Sequence, residues 1–184
     1  MERHPDFALG FFNLGSQLAK QIQERAEQAL PEEWQELITL LARSTELNPG
    51  YHPAWSNLAD AHRAHGNTAE ALQCYEEALA REPTYYVARN NLGNVLKASG
   101  NLAEATVHYE LAVSSLSSTV NGAHDVAAMW SNLGAVYLEQ DRLAESLNAY
   151  SSATDALPNY APAYVNMGRI VSTPTCCICV PIWA

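Results

Sequence analysis

Apolar residues recur along this chain at helical spacing, in short blocks whose phase resets at Gly, Asn and Pro. Between His52 and Pro83, Trp55, Leu58, Ala59 and His62 fall at i, i+3, i+4 and i+7, which puts them on one face of a helix. Gly66-Asn67 breaks the pattern. Asn67 with Glu70 three residues later has the form of a capping box and predicts the start of a second helix. Ala71, Tyr75 and Ala78 form the apolar stripe of that helix. Pro83 ends it, because a proline lacks the N–H and its ring clashes with the preceding turn. Two amphipathic helices joined by a tight turn make one antiparallel hairpin.

The hairpin is written again along the chain. Arg89, Leu92, Gly93, Leu96, Gly100, Ala105, Tyr109 and Ala112 each lie 34 residues after their counterparts. Trp130, Leu133, Gly134, Tyr137, Tyr150, Ala153 and Pro158 repeat the pattern, and Tyr164, Met167, Gly168 and Val171 begin a further copy. Trp55-x-x-Leu58-Ala59-x-x-His62, Ala71-x-x-x-Tyr75, Ala78 and Pro83 resemble the tetratricopeptide repeat, W-x-x-L-G-x-x-Y…A-x-x-x-F…P. The resemblance implies an all-α fold, a right-handed α-solenoid of antiparallel helix hairpins.

Residues 6–51 read as a divergent, extended first repeat. Phe11-x-x-Leu14-Gly15-x-x-Leu18 matches the first helix, and Pro49 matches Pro83. The stretch from Gln21 to Leu30 is rich in Gln, Glu and Ala and predicts a first helix prolonged by a few turns. Pro31 then opens the second helix, with Glu32 and Glu33 near its positive end and Trp34, Leu37 and Leu41, with Leu40 beside them, as its buried face. Repeats at 52–85 and 86–119 follow. A polar loop at 120–126 precedes a repeat at 127–160, a truncated repeat at 161–172 and an irregular tail at 173–184.

Charge narrows the partners. Ten basic residues stand against 20 acidic ones, with a pI near 4.9, which argues against nucleic acid or an anionic membrane as the main partner. The N-terminus has no apolar signal region and no run is long enough to span a bilayer. A soluble cytoplasmic or nuclear chain is expected, with the lumen of the endoplasmic reticulum open only to a longer parent.

Cys74 stands alone, while Cys176, Cys177 and Cys179 crowd into the tail, and neither arrangement is a disulfide framework. Metal binding by the tail lacks a fourth ligand, and acylation lacks a basic or amphipathic flank. The favoured reading is a truncated or alternatively spliced piece of a longer array, since an array should end in a helix with a polar outer face. No G-x-S-x-G, phosphate loop or H-E-x-x-H occurs, and His62 occupies a packing slot. The repeats leave no room for a catalytic domain, so neither enzyme activity, a cofactor nor a metal is expected.

One polar position repeats. Two residues after each aromatic slot stands Asn13, Asn57, Asn91, Asn132 or Asn166. An asparagine amide offers donors and an acceptor together and can pair with both the C=O and the N–H of an extended peptide. Curvature like the family's would place these residues in a concave groove, beside Ser56, Asp60 and Arg63 in the second repeat and Asn90, Asn94 and Lys97 in the third. Arg169 lies in the last. The expected function is a protein-interaction scaffold whose partner is a protein or an extended peptide.

The asparagine ladder also resembles the repeat arm of the O-GlcNAc transferases, and Asn90-Asn91-Leu92-Gly93-Asn94-Val95-Leu96-Lys97 looks like repeats of the transmembrane O-mannosyltransferases. That resemblance implies an alternative, the substrate-recruiting region of a protein O-glycosyltransferase. The clamp with which relatives hold heat-shock tails is absent: its places hold Ser56 and Asp60 in the second repeat, and Phe12 and Ser16 in the first.

Overall fold

The apolar stripes become nine helices, with no strand, among the residues that the computed structural model describes, 5–25, 30–116 and 122–172. They are α1 (Pro5–Arg25), α2 (Pro31–Leu47), α3 (His52–Ala64), α4 (Thr68–Arg81), α5 (Tyr86–Ala98), α6 (Leu102–Ser114), α7 (Ala123–Glu139), α8 (Leu143–Ala156) and α9 (Ala161–Val171). The chain divides into two compact units, one up to Val95 and one from Leu96, and the division falls inside α5.

In the first unit α1 pairs with α2 and α3 with α4, while α3 also packs against α2 and α1. Ala71, Tyr75 and Ala78, the stripe predicted for α4, are completely buried. So are Leu37 and Leu41 on α2. The prolonged first helix reaches Arg25, and residues 26–29 lie outside the described residues. Pro31 opens α2 as expected. The Glu33 carboxylate accepts the N–H of Leu30 at 2.9 Å and pairs with Arg25 at 2.6 Å, which draws its pKa below the ordinary range.

The register of α1 departs from the pattern. Leu14 matches Leu58 by sequence, yet Leu14 is 52% exposed and Leu58 is buried. Among the described residues no helix precedes α1, whereas α3 has α2 before it and α4 after it. The core face of α1 is instead Ala8, Gly15 and Ile22, with Leu41 so close to Gly15 that an added Cβ would lie 2.9 Å from its Cδ2.

In the second unit α7 packs with α6, α8 and α9, and α8 with α9. Its core joins Ala127, Tyr150, Ala153, Ala163 and Ile170, with Trp130 and Met167 partly buried against them. Ser146 takes the place of Ala71 and satisfies its buried hydroxyl on the Gly134 carbonyl at 2.8 Å. The predicted polar loop at 120–126 is too long at its C-terminal end: Gly122 is the N-cap of α7, so residues from Ala123 onward are helical. Asp125 in the first turn and the good helix formers around it favour that earlier start. Residues 117–121 and the tail at 173–184, with its three cysteines, lie outside the described residues.

In three of the repeats the slot two residues before the asparagine has a polar purpose beyond packing. Trp55 Nε1 donates to the Pro49 carbonyl at 2.9 Å, Arg89 Nε to that of Pro83 at 2.8 Å, and the Tyr164 hydroxyl to that of Pro158 at 3.0 Å. In these three a proline follows the preceding second helix and leaves a carbonyl to be satisfied. A long side chain with an N–H or O–H serves there, which accounts for Arg89 in an aromatic position.

The capping box predicted at Asn67 does not form. Asn67 is the N-cap of α4, but its side chain makes no cap bond, and its Nδ2 lies 3.3 Å from His62 Nδ1. The turn is closed by backbone instead, with the Asn67 N–H donating to the His62 carbonyl at 2.8 Å across Gly66, whose φ is +89°. Gly100 repeats this at +80°, and Asp141 holds the same place at +60°. A residue with a Cβ is strained there by about 1–2 kcal/mol, partly offset by the greater unfolded entropy of glycine. Asp141→Gly is therefore expected to stabilise the second unit by up to about 1 kcal/mol and so to raise its unfolding midpoint. An unchanged or lower midpoint in urea would show that Asp141 is not strained.

Candidate functional site

The repeated asparagines all stand on first helices but differ in what they touch. Asn13 is exposed on α1 and makes no hydrogen bond among the described residues. Asn57 donates from Nδ2 to Ser16 Oγ at 3.3 Å. Asn91 donates to both carboxylate oxygens of Asp60, at 3.2 and 3.3 Å, and its Oδ1 accepts from Asn90 at 3.2 Å. Ser16 and Asp60 each lie three residues after the asparagine of their own repeat. The asparagine of one repeat thus reaches back to that position of the repeat before, and the first two copies are pinned to their successors in this way.

Asp60 is the centre of the first unit's site. The Tyr75 hydroxyl donates to its Oδ1 at 2.6 Å, and Arg63 lies 3.6 Å from the same oxygen. Burial dominates and raises the Asp60 carboxyl above its ordinary value, while Tyr75, Arg63 and Asn91 pull it the other way. Burial likewise pushes up the Tyr75 phenol, and the Asp60 charge adds to the effect. Beside this cluster opens a cavity of about 550 Å³ lined by Ser16, Ala19, Lys20, Ile22, Trp34, Asn57, Asp60 and Arg63, among others. The C-terminal half of α1 supplies much of its wall.

In the second unit Lys97 pairs with Glu139 at 3.8 Å. Asn94, which belongs to the first unit, and Asn132 are both half-buried. Asn166 accepts a long hydrogen bond from Arg169 at 3.4 Å, and both border a cavity of about 300 Å³ with Ala135, Leu138, Glu139 and Tyr150. The structure therefore gathers Asn57, Asp60, Arg63 and Asn91 into one cluster, and Asn166 with Arg169 into another, while Asn13 stands apart.

Sequence reasoning passed over Ser16, Trp34 and the Tyr75 hydroxyl as site components. The spacing of Ser16 and Asp60 three residues after an asparagine was the available signal. His62 is half-buried, and burial lowers its pKa, in keeping with a packing slot. Among the described residues no three His, Cys, Asp or Glu side chains are grouped so as to hold a metal ion, and no helix is long and apolar enough to cross a membrane.

Tetratricopeptide repeat models match the sequence over residues 52–85 and 85–159, together more than half of the chain. No curated protein matches it. Among solved structures, PilF of Pseudomonas aeruginosa superposes with a TM-score of 0.74 at 18% identity, over 90% of this chain and 68% of PilF. MamA from Desulfovibrio magneticus RS-1 gives 0.69 at 18% identity, over 90% of this chain and 84% of that one. The first such domain of Spaghetti (RPAP3), bound to the HSP90 peptide SRMEEVD, gives 0.58 at 20% identity, over 65% and 90%. At these identities the likeness is one of fold.

Proposed function

Because the chain belongs to the tetratricopeptide repeat family, we propose that it is a protein-interaction scaffold holding an extended peptide, or an extended segment of a partner protein, against the first helices of its repeats. The observation that carries this reading is that Asn57 in one unit and Asn166 in the other each border a cavity with mixed polar and apolar walls. Asn13, Asn57, Asn91, Asn132 and Asn166 hold peptide backbone, while Asp60, Arg63, Asn94 and Lys97 flank it. Asn57 and Asn91 have a second task, since they also join neighbouring repeats. The peptide bound to the RPAP3 domain supports peptide as the ligand class. The transferase alternative rests on the spelling of the repeats, and no feature of the site adds to it.

The double role decides which variants test the idea. Asn57→Ala or Asn91→Ala would lose stability as well as binding. Asn13→Ala and Asn166→Ala remove amides that bridge no repeats. For a peptide selected from an array of unrelated sequences, each should weaken binding by about 0.5–1.5 kcal/mol, roughly twofold to tenfold, with the melting temperature unchanged. Calorimetric titration is the readout. Affinity equal to wild type in both variants would leave the asparagines as repeat-joining residues only.

A further inference from the structure

The two units solve the same structural problem differently. In the first, three donors surround the chain's own carboxylate: Tyr75 hydroxyl, Asn91 amide and Arg63 guanidinium all face Asp60. In the second, Tyr150 corresponds to Tyr75 and Asn166 to Asn91 by repeat position, but the place of Asp60 holds Ala135 and that of Arg63 holds Leu138. The donors are kept while the acceptor is missing. A cation returns from another direction, as Arg169 of α9.

The consequences are visible in the side chains. Tyr150 is completely buried, and among the described residues its hydroxyl has no hydrogen-bond partner. Nearby Ser146 gives its proton to the Gly134 carbonyl, and its oxygen is not placed to accept from Tyr150. Asn166 uses its oxygen on Arg169, and among the described residues its Nδ2 donates to nothing. An unpaired buried hydroxyl is destabilising, so a structure that keeps one calls for an explanation. Around these groups lies the cavity of about 300 Å³. Arg169 is close enough to Tyr150 to favour its ionised form, against the larger effect of burial.

We propose that this cavity of the second unit is a carboxylate site, in which a Glu or Asp side chain of the bound peptide takes the place that Asp60 fills in the first unit. The inference rests on the peptide-scaffold reading and names the chemistry of its ligand. Arg169 supplies the charge, and Asn166 and Tyr150 supply neutral donors, a set that prefers a carboxylate to an amide. Glu139 also borders the cavity and opposes an anion, but Lys97 lies 3.8 Å from it and offsets its charge. The net charge of −10 repels an acidic peptide at long range, so affinity comes from these contacts and not from the field of the whole chain.

The test uses the full chain and three acetylated pentapeptides. One is Ala-Ala-Glu-Ala-Ala with an amidated end, one is its Gln counterpart, and one is the Gln peptide with a free C-terminal carboxylate. The Asn166 side-chain amide and the Arg169 Nε–H are followed by NMR through titration into the millimolar range. The Glu peptide should saturate both signals about tenfold or more below the amidated Gln peptide. Arg169→Gln, an exposed substitution, and Ala135→Asp, which rebuilds the internal acceptor, should each abolish the difference.

Ala135→Asp should also stabilise the unit by giving Tyr150 a partner, and Arg169→Gln still reports if that variant folds poorly. Equal binding of the Glu and amidated Gln peptides overturns the carboxylate site and leaves the scaffold reading standing. No response to any of the three peptides overturns both. Tighter binding of the free-ended peptide than of the Glu peptide overturns the assignment to a side chain and moves the site to a chain terminus.

Discussion

Replacing Tyr75 by alanine is expected to cost roughly 3–5 kcal/mol, the range for truncating a large buried aromatic. Small domains are stable by only about 5–15 kcal/mol, so this one change removes much of what holds the first unit together. The ring is completely buried, and the buried residues beside it on α3 and α4 include Ala59, Ala71 and Ala78, too short to fill the void. The loss has a polar part too. Tyr75 donates to Asp60 at 2.6 Å, and without it the half-buried carboxylate keeps only Asn91 and Arg63.

Tyr75→Phe isolates that part and should cost about 1.5–3 kcal/mol, the worth of a hydrogen bond to a charged group. It also has a pH signature. Tyr75 lowers the Asp60 pKa, so removing its hydroxyl lifts the folded-state value further above the unfolded one. The proton then binds the folded state more tightly, and the destabilisation should be smaller in acid and grow as pH rises through the folded value. Urea unfolding followed by tryptophan fluorescence reads the first unit through Trp34 and Trp55 in a background where Trp130 and Trp183 are replaced by Phe. A Tyr75→Ala protein within about 1 kcal/mol of wild type would mean that the seam around α4 collapses to fill the space.

The seam was legible because it is local and repeated. Ala71, Tyr75 and Ala78 form one stripe at helical spacing, and copies 34 residues apart rule out chance. The asparagines were equally visible as a position, but not their partners. Asn91 meets Asp60 across 31 residues of chain, and nothing in either helix reveals that contact until the register between helices is known. Leu14 shows the opposite failure. It carries the same letters as Leu58, yet burial depends on a neighbouring helix that only the later copy has among the described residues. The Asn67 cap failed for a local reason, since a left-handed glycine let the backbone close the turn without the side chain. Substitution between copies turned out to be the most informative signal. Ala135 in the place of Asp60 looks like a neutral change in the sequence and removes an acceptor in the structure.

Ile170→Ala should act at the other end and in a different way. Ile170 and Ala163 are the completely buried residues of α9, and they meet Tyr150, Ala127 and Ala153 in the core of the second unit. Truncating a buried isoleucine costs roughly 2–5 kcal/mol. At 11 residues α9 is shorter than the about 12–15 that an isolated helix needs, so its helicity depends on docking. When the penalty exceeds the free energy of docking, α9 detaches while α7 and α8 remain packed. The shift in the global midpoint is then capped, and the damage appears as local opening. Hydrogen exchange at the amides of residues 165–171 should speed up by roughly thirtyfold to a few thousandfold, while protection in 127–156 changes little. Val171→Ala, at an exposed position on the same helix, should change neither. Peptide binding at the proposed site of Asn166 and Arg169 should weaken in proportion to the docked fraction of α9, since these residues meet the cavity only in that state. A lowered global midpoint with exchange in 165–171 no faster than in 127–156 would show instead that α7, α8 and α9 unfold as a single cooperative block.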